Sequence, residues 1–288
     1  MNEKIFGKLF LSIGAMKAGT TWLFAVLERN PALHFTLEKE IHYFYHKYVN
    51  GRHLSERRRL QTAKDRYLFR FDPERANIDR IRGNLHWVAN YLQRPVDDFW
   101  YRNLFDLRDT QEWACDFSNL HSFVPAEAWP QIADSCEQLR VLYTMRHPVK
   151  RLWSHTKFHL QMTGGLHHLE EWGPREFENF VRTPHIWNNA EYGAVLRRMR
   201  EGLKPDQRKV IFYEDLHADQ RGTLASIEDF LGITHFNYPQ PLLERRFTES
   251  VSHPMPDYFP RLFADDIDRI KREIEAEGFK LPAKWQEP

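Results

Sequence analysis

Gly14-Ala15-Met16-Lys17-Ala18-Gly19-Thr20-Thr21 combines small residues, two hydroxyls and one ammonium in a single short run. Small side chains let a backbone approach an anion closely, and a helix starting at the end of such a run aims its first N–H groups and its dipole at the same point. The chemistry expected there is the binding of a phosphate-like anion. The run departs from a Walker A loop, in which Lys directly follows the second Gly. Here Thr20 follows Gly19 and Lys17 lies ahead of it, so the ammonium approaches from the loop and not from the helix. A second anion-binding pair lies far away in the chain. Arg146-His147-Pro148 is followed by Ser154; a guanidinium fork suits a dianionic phosphate and a serine adds a hydroxyl donor. Read alone, Arg146 would equally suit a surface pair with a carboxylate.

Proton chemistry is suggested by Glu40-Ile41-His42. In extended geometry the two polar side chains share one face, and a carboxylate beside an imidazole makes a proton relay. The plainer alternative is two solvated polar residues of a strand or turn. If one of them is a base, Glu40 is favoured; His42 is the rival because an ordinary imidazole titrates near neutrality. His167-His168 and Glu170-Glu171 match no recognised metal-ligand spacing and have no cysteine nearby, so they read as a polar turn and no metal is expected.

These groups need elements to position them. Leu9–Ile13 is an apolar run ending at Gly14, a buried strand, and Leu23, Val26 and Leu27 mark a helix that begins near Thr21 and ends at Asn30-Pro31. Strand, loop and helix form the opening unit of a parallel α/β sheet. Val141–Met145 is a second strand, after which Pro148 suits the first turn of a helix. Val210–Tyr213 and Trp113–Phe117 read as further strands, and the stripe Leu224, Ile227, Leu231 as a helix closed by Gly232. One helix carries Tyr192, Val195, Leu196, Met199 and Leu203, and a last one carries Ile267, Ile270 and Ile274 and stops at Gly278. The fold class expected is α/β, a P-loop-like central parallel sheet flanked by helices, in one domain over residues 1–288. Segments 45–110 and 158–188 break the alternation and read as excursions that shape an acceptor site or only cover the core edges.

Composition narrows the function classes. The chain has 288 residues, 42% hydrophobic and 14% aromatic, enough for a buried core and unlike a disordered chain. A formal net charge of +1 gives no global case for nucleic acid or membrane as partner, so any anion site is local. Two cysteines make no disulfide framework, and no apolar run is long enough to span a bilayer or to act as a secretory signal. A cytoplasmic setting is the simpler expectation. Nothing here indicates an oligomeric state.

Lys17-Ala18-Gly19-Thr20-Thr21-Trp22 resembles the phosphosulfate-binding loop of sulfotransferases that use 3′-phosphoadenosine 5′-phosphosulfate (PAPS). Arg146, Pro148 and Ser154 are similar to the 3′-phosphate-binding element of that family, and Tyr213-Glu214-Asp215-Leu216 to a segment whose Tyr lies near adenine. Arg246-Phe247-Thr248, with Pro254 to Tyr258, resembles the C-terminal stretch in which a Phe packs on adenine, without the Arg-Lys-Gly element that often follows; Arg245, Arg246 or Arg261 are its candidate substitutes. Glu40-Ile41-His42-Tyr43-Phe44 is similar to a Glu-x-His-Phe-Phe segment of the glycan branch, where the Glu is the base. Asp116-Phe117-Ser118 stands where that branch often has Glu-Lys-Thr/Ser-Pro, with Phe117 in place of the Lys. Asp116 and Ser118 then orient the acceptor or Lys17, or Asp116 is a structural ion-pair partner.

The resemblance implies transfer of a sulfuryl group from PAPS to an acceptor hydroxyl or amine, with PAP as product and no metal. Lys17, Glu40 and His42 would be catalytic. Ala18, Gly19, Thr20, Thr21, Trp22, Arg146, Ser154, Tyr213, Phe247 and Thr248 would join Lys17 in holding the nucleotide. The acceptor would be a small molecule, a lipid headgroup or a glycan. Arg52, Arg57, Arg58, Arg59, Lys64, Arg66 and Arg70, among Tyr45, Tyr48, Tyr67 and Phe69, suit an anionic glycan or form a solvated basic helix face. The alternatives are a P-loop nucleotide kinase, which lacks its Gly-Lys-Ser/Thr here, and a nucleotide-binding module without catalysis.

Overall fold

The computed structural model describes residues 4–68, 71–247 and 251–285. Five strands, β1 (Phe6–Ser12), β2 (Leu33–Phe35), β3 (Trp113–Phe117), β4 (Cys136–Met145) and β5 (Arg208–Phe212), form one sheet in the order β2-β3-β1-β4-β5. Every pairing is parallel, with Leu11 between Asp116 and Val141. Both faces are covered, as a parallel sheet requires. Leu9, Leu11, Val141, Tyr143 and Met145 enter one apolar layer, while Phe10, Cys115, Phe117 and Leu142 enter the other, the two-residue alternation of strands.

The covering helices are α1 (Thr20–Leu27), α2 (Tyr43–Tyr48), α3 (Glu56–Ala63), α4 (Ile78–Leu92), α5 (Asp98–Asn103), α6 (Ala128–Ser135), α7 (Pro148–Met162) and α8 (His168–Glu171). They continue as α9 (Pro174–Val181), α10 (Pro184–Trp187), α11 (Tyr192–Gly202), α12 (Tyr213–Ala218), α13 (Gln220–Leu231), α14 (Gln240–Leu243) and α15 (Ala264–Ala276). Pro148 sits in the first turn of α7, where its missing N–H costs nothing, and Gly232 closes α13 in a left-handed conformation, both as expected. No helix among the described residues is long and apolar enough to cross a membrane.

Several expectations shift, among them Tyr213, which opens α12 and does not close β5, and β1, which starts at Phe6. β2 is an added strand of three residues, too short to show a period. β4 starts at Cys136, because its polar first turn still pairs with β1 at Phe6 and Lys8. Residues 158–162 belong to α7, so the second excursion starts at Thr163.

The topology selects a place for a ligand. From β1 the chain crosses to β2 on one side, and from β4 it crosses to β5 on the other. The carboxyl ends of β1 and β4 therefore flank a switch point, where open α/β sheets bind ligands. The Gly14–Gly19 loop follows β1 and Arg146 follows β4.

Candidate active site

The β1–α1 loop is stitched to β4 by Ala15 N–H to Thr144 O at 2.8 Å and Thr144 N–H to Gly14 O at 2.8 Å. Gly19 caps α1 with φ of 82°, and no side chain caps the helix, so its first N–H groups are uncommitted donors. A Cβ on Gly19 would lie 2.8 Å from the Tyr213 ring. Gly19→Ala is therefore expected to destabilise the fold by about 1–3 kcal/mol through overpacking. Thermal unfolding checks this, and Gly19→Ala/Tyr213→Ala should recover part of the loss. An unchanged midpoint in Gly19→Ala would show that the ring is free to move.

Arg146 folds back on the loop. Its Nη1 donates to Lys17 O at 3.1 Å and its guanidinium lies 4.5 Å from the Tyr213 ring centre, while its buried Nε has no partner among the described residues. Lys17, with φ of 67°, places its ammonium 4.5 Å from the ring centre of Phe158 on α7. Burial, then the charges of Arg146, Lys157 and Lys39, push Lys17 down to about 8. A buried lysine whose proton affinity is lowered further by neighbouring cations, beside an uncapped helix N-terminus, suits an anion.

Glu40 and His42 meet, but not through an extended strand. Both have left-handed backbone, φ of 69° and 62°, so the expected strand-like face is replaced by a tight, irregular loop. Non-glycine residues hold that conformation only where surroundings enforce it. The enforcement is visible. Glu40 N–H donates to Phe117 O at 3.0 Å, Glu40 Oε2 accepts from Asn119 N–H at 2.8 Å, and His42 N–H donates to Ser118 Oγ at 2.8 Å. Ser118 Oγ donates in turn to Asp116 Oδ1 at 2.6 Å, and Tyr101 OH to Asp116 Oδ2 at 2.8 Å. Asp116 and Ser118 are buried, so they brace the Glu40–His42 loop from beneath and do not reach an acceptor directly. Burial raises Asp116 to about 6. His42 Nε2 lies 3.5 Å from Glu40 Oε2, and burial, then the charges of Arg58 and Lys39, lower His42 to about 3, leaving a neutral ring.

A sequence profile of the sulfotransferase family matches residues 10–237, from the first strand past α13. The chain belongs to the sulfotransferase family. Among solved structures it is similar to a sulfotransferase from Alicyclobacillus acidocaldarius, with TM-score 0.62 and 19% identity over 96% of this chain and 98% of that one. It also resembles the sulfotransferase domain of the Synechococcus PCC 7002 olefin synthase, with TM-score 0.50 and 17% identity over 98% of each chain. A third similar fold is the sulfotransferase domain of the curacin biosynthetic pathway, with TM-score 0.50 and 16% identity over 97% of this chain and 100% of that one. No curated protein sequence matches the chain.

Within this sulfotransferase, Lys17, Gly19, Arg146 and Tyr213 form one contact group, and Thr20 joins Glu40 through Lys39. Ala18 is buried in the core, Thr21 is exposed on the first turn of α1, and Trp22 is buried with its Nε1 donating to Leu243 O at 3.1 Å. Ser154 lies on α7, and Phe247 packs on the α1 side of the sheet with Arg245 5.1 Å from its ring centre. Thr248, Phe69 and Arg70 lie outside the described residues. Of the basic run, Arg59 is committed to the carbonyls of Leu54, Tyr91 and Gln93, and Arg66 pairs with Glu38. His167, His168 and Glu171 bring ligand atoms within 4.8 Å of one another on the second excursion, away from these cations in the chain.

Sequence reasoning missed Lys39, Lys157 and Glu214. Lys39 adjoins Glu40, and Lys157 follows Ser154 by one helical turn, spacings that offered a signal. Lys157 Nζ donates to Val251 O at 2.7 Å and holds the C-terminal segment on α7. Glu214 accepts from His147 N–H at 3.0 Å and Trp285 Nε1 at 2.8 Å, tying the start of α7 to the chain's end.

Proposed function

We propose that this sulfotransferase moves a sulfuryl group from PAPS to a hydroxyl or amine of a glycan, lipid headgroup or small metabolite, in a single domain over residues 1–288. The observation that carries the reading is the gathering of cations at the uncapped start of α1, where Arg146 donates to Lys17 O, Lys39 Nζ lies 3.5 Å from Thr20 Oγ1, and burial followed by the charges of Arg146, Lys157 and Lys39 lowers Lys17. Such a cluster is stabilised by a polyanion, and PAPS presents phosphates at two positions. Arg146 and Ser154 hold the 3′-phosphate, and Gly19, Thr20 and Thr21 the 5′-phosphate. Ala18 and Trp22 shape that loop, while Tyr213 and Phe247 flank adenine.

In the transfer the acceptor oxygen or nitrogen bonds to sulfur as the bridge from sulfur to the 5′-phosphate oxygen breaks. Glu40 takes the acceptor's proton. Lys17 meets the charge appearing on the leaving oxygen. By analogy with phosphoryl transfer, positioning and charge stabilisation suffice, and neither a covalent intermediate nor a metal is assigned a role. The neutral His42, a weak proton acceptor at about 3, orients Glu40. Asp116 and Ser118 reach the acceptor only through the loop they brace.

Isothermal titration with PAP tests the donor. The chain should bind PAP and not ATP with magnesium, the ligand preferred by a nucleotide kinase. Arg146→Ala should weaken PAP by ~1.5–3 kcal/mol, the range for a charge-assisted contact. Unchanged affinity in Arg146→Ala would remove Arg146 from the 3′-phosphate site.

A further inference from the structure

Lys39 occupies a place that the sequence motifs do not assign. Its Nζ donates to Glu40 Oε1 at 2.7 Å and lies 3.5 Å from Thr20 Oγ1 at the start of α1. One ammonium thus touches both the carboxylate proposed as base and the first turn of the helix proposed to hold the donor. The pair is shielded, with side-chain exposures of 20% for Lys39 and 27% for Glu40. The opposite carboxylate oxygen is fixed by Asn119 N–H, with His42 Nε2 at 3.5 Å, so Lys39 supplies the contact on the α1 side.

We infer that Lys39 is the positioning residue for Glu40, an ammonium that ties the base to the donor-binding helix and so sets the distance between acceptor proton and sulfuryl group. The inference rests on the proposed sulfotransferase reading, because it gives Glu40 its role as base. Glu40 has left-handed backbone outside any helix or strand, so its carboxylate is placed by the contacts it makes and not by a regular element. Asn119 N–H holds the other carboxylate oxygen, with His42 Nε2 at 3.5 Å. Among the described residues, Lys39 alone links this carboxylate to the first turn of α1. Lys39 also contributes to the depressed proton affinity of Lys17, which places its charge within electrostatic reach of the donor site.

Lys39→Met, Lys39→Arg, Glu40→Gln and the Lys39→Met/Glu40→Gln pair separate this role from a structural one. PAP affinity is read by titration. Turnover is read as PAP formed from radiolabelled PAPS with water and with para-nitrophenol as acceptors. Lys39→Met should weaken PAP by no more than about tenfold, because one of several cations is lost, while turnover falls ~10²-fold, the loss expected from a misplaced reacting group. In the Glu40→Gln background the same change should cost less than about threefold further, because the contact it serves is already gone. Lys39→Arg, which can fork onto the carboxylate, should recover turnover to within about tenfold of wild type. Equal losses from Lys39→Met with and without Glu40 would overturn the inference, as would loss of PAP affinity in step with turnover. A wild-type protein that binds no PAP, or binds it and consumes no PAPS with either acceptor, would overturn the sulfotransferase reading itself.

Discussion

Glu40→Gln is expected to lower single-turnover sulfuryl transfer by ~10²–10⁴-fold, the usual contribution of a positioned general base. Glutamine keeps the size and one carbonyl oxygen, so Asn119 N–H, which donates at 2.8 Å, retains an acceptor. What disappears is the ability to take a proton. PAP affinity should be nearly unchanged, since the substitution removes no donor or cation from the proposed phosphate sites. His42→Ala should cost less. Its side chain is buried, which holds it neutral at about 3 with Nε2 3.5 Å from Glu40 Oε2, so it orients Glu40 and is not the proton's destination. Single-turnover rates for both variants on one acceptor decide the assignment. Wild-type transfer by Glu40→Gln with none by His42→Ala would reverse the two roles. Activity in both would remove the base from this loop.

The parts of this site that rest on local sequence were legible, and the parts that rest on tertiary enforcement were not. Leu9–Ile13 before Gly14 and Val141–Met145 before Arg146 announce buried strands because burial on both faces demands unbroken apolar runs. Each run ends in a residue that can bind an anion. The α1 start was legible for the same reason, since Gly19-Thr20-Thr21 has the small and polar character of a helix entrance. β2 was invisible because Leu33–Phe35 carries too few residues to show alternation. The conformation of Glu40 and His42 was also unreadable. Left-handed backbone at a non-glycine residue is imposed by partners such as Phe117, Ser118 and Asn119, which lie more than seventy residues away. Asp116 and Ser118 were visible as polar residues at a strand end, but only burial and the chain Asp116–Ser118–His42 N–H show that they act on the loop's backbone. Lys39 was next to a candidate base all along; its function depends on which way the loop turns, and propensity carries no such information.

Lys17→Ala should cut kcat by ~10²–10³-fold, the loss typical of removing one preorganised donor from a developing oxyanion, and should weaken PAP much less. The charge that Lys17 meets grows only as the bridge to sulfur breaks, so most of its contribution belongs to the transition state. In the free protein its ammonium stands 4.5 Å from the Phe158 ring centre, with no ion-pair partner among the described residues. A pH signature follows from the crowding. Burial and neighbouring cations lower Lys17 to about 8 in the free protein, and a bound polyanion raises it again. Complex formation therefore takes up a proton above about pH 8, so PAP affinity is fully present below that value and falls as pH rises through it, by at most about tenfold per unit. Lys17→Arg stays charged throughout and should lose that part of the dependence. Lys157, whose proton affinity is also lowered by burial and then by Arg146, leaves a weaker residual slope in both variants. Calorimetry from about pH 7 to about pH 9.5 in buffers of different ionisation enthalpy reads the proton uptake directly. An affinity independent of pH in the wild type, or the same slope in Lys17→Arg, would show that Lys17 is not the titrating group. Intact kcat in Lys17→Ala with a loss confined to kcat/KM would move its role from the transition state to the binding of the donor.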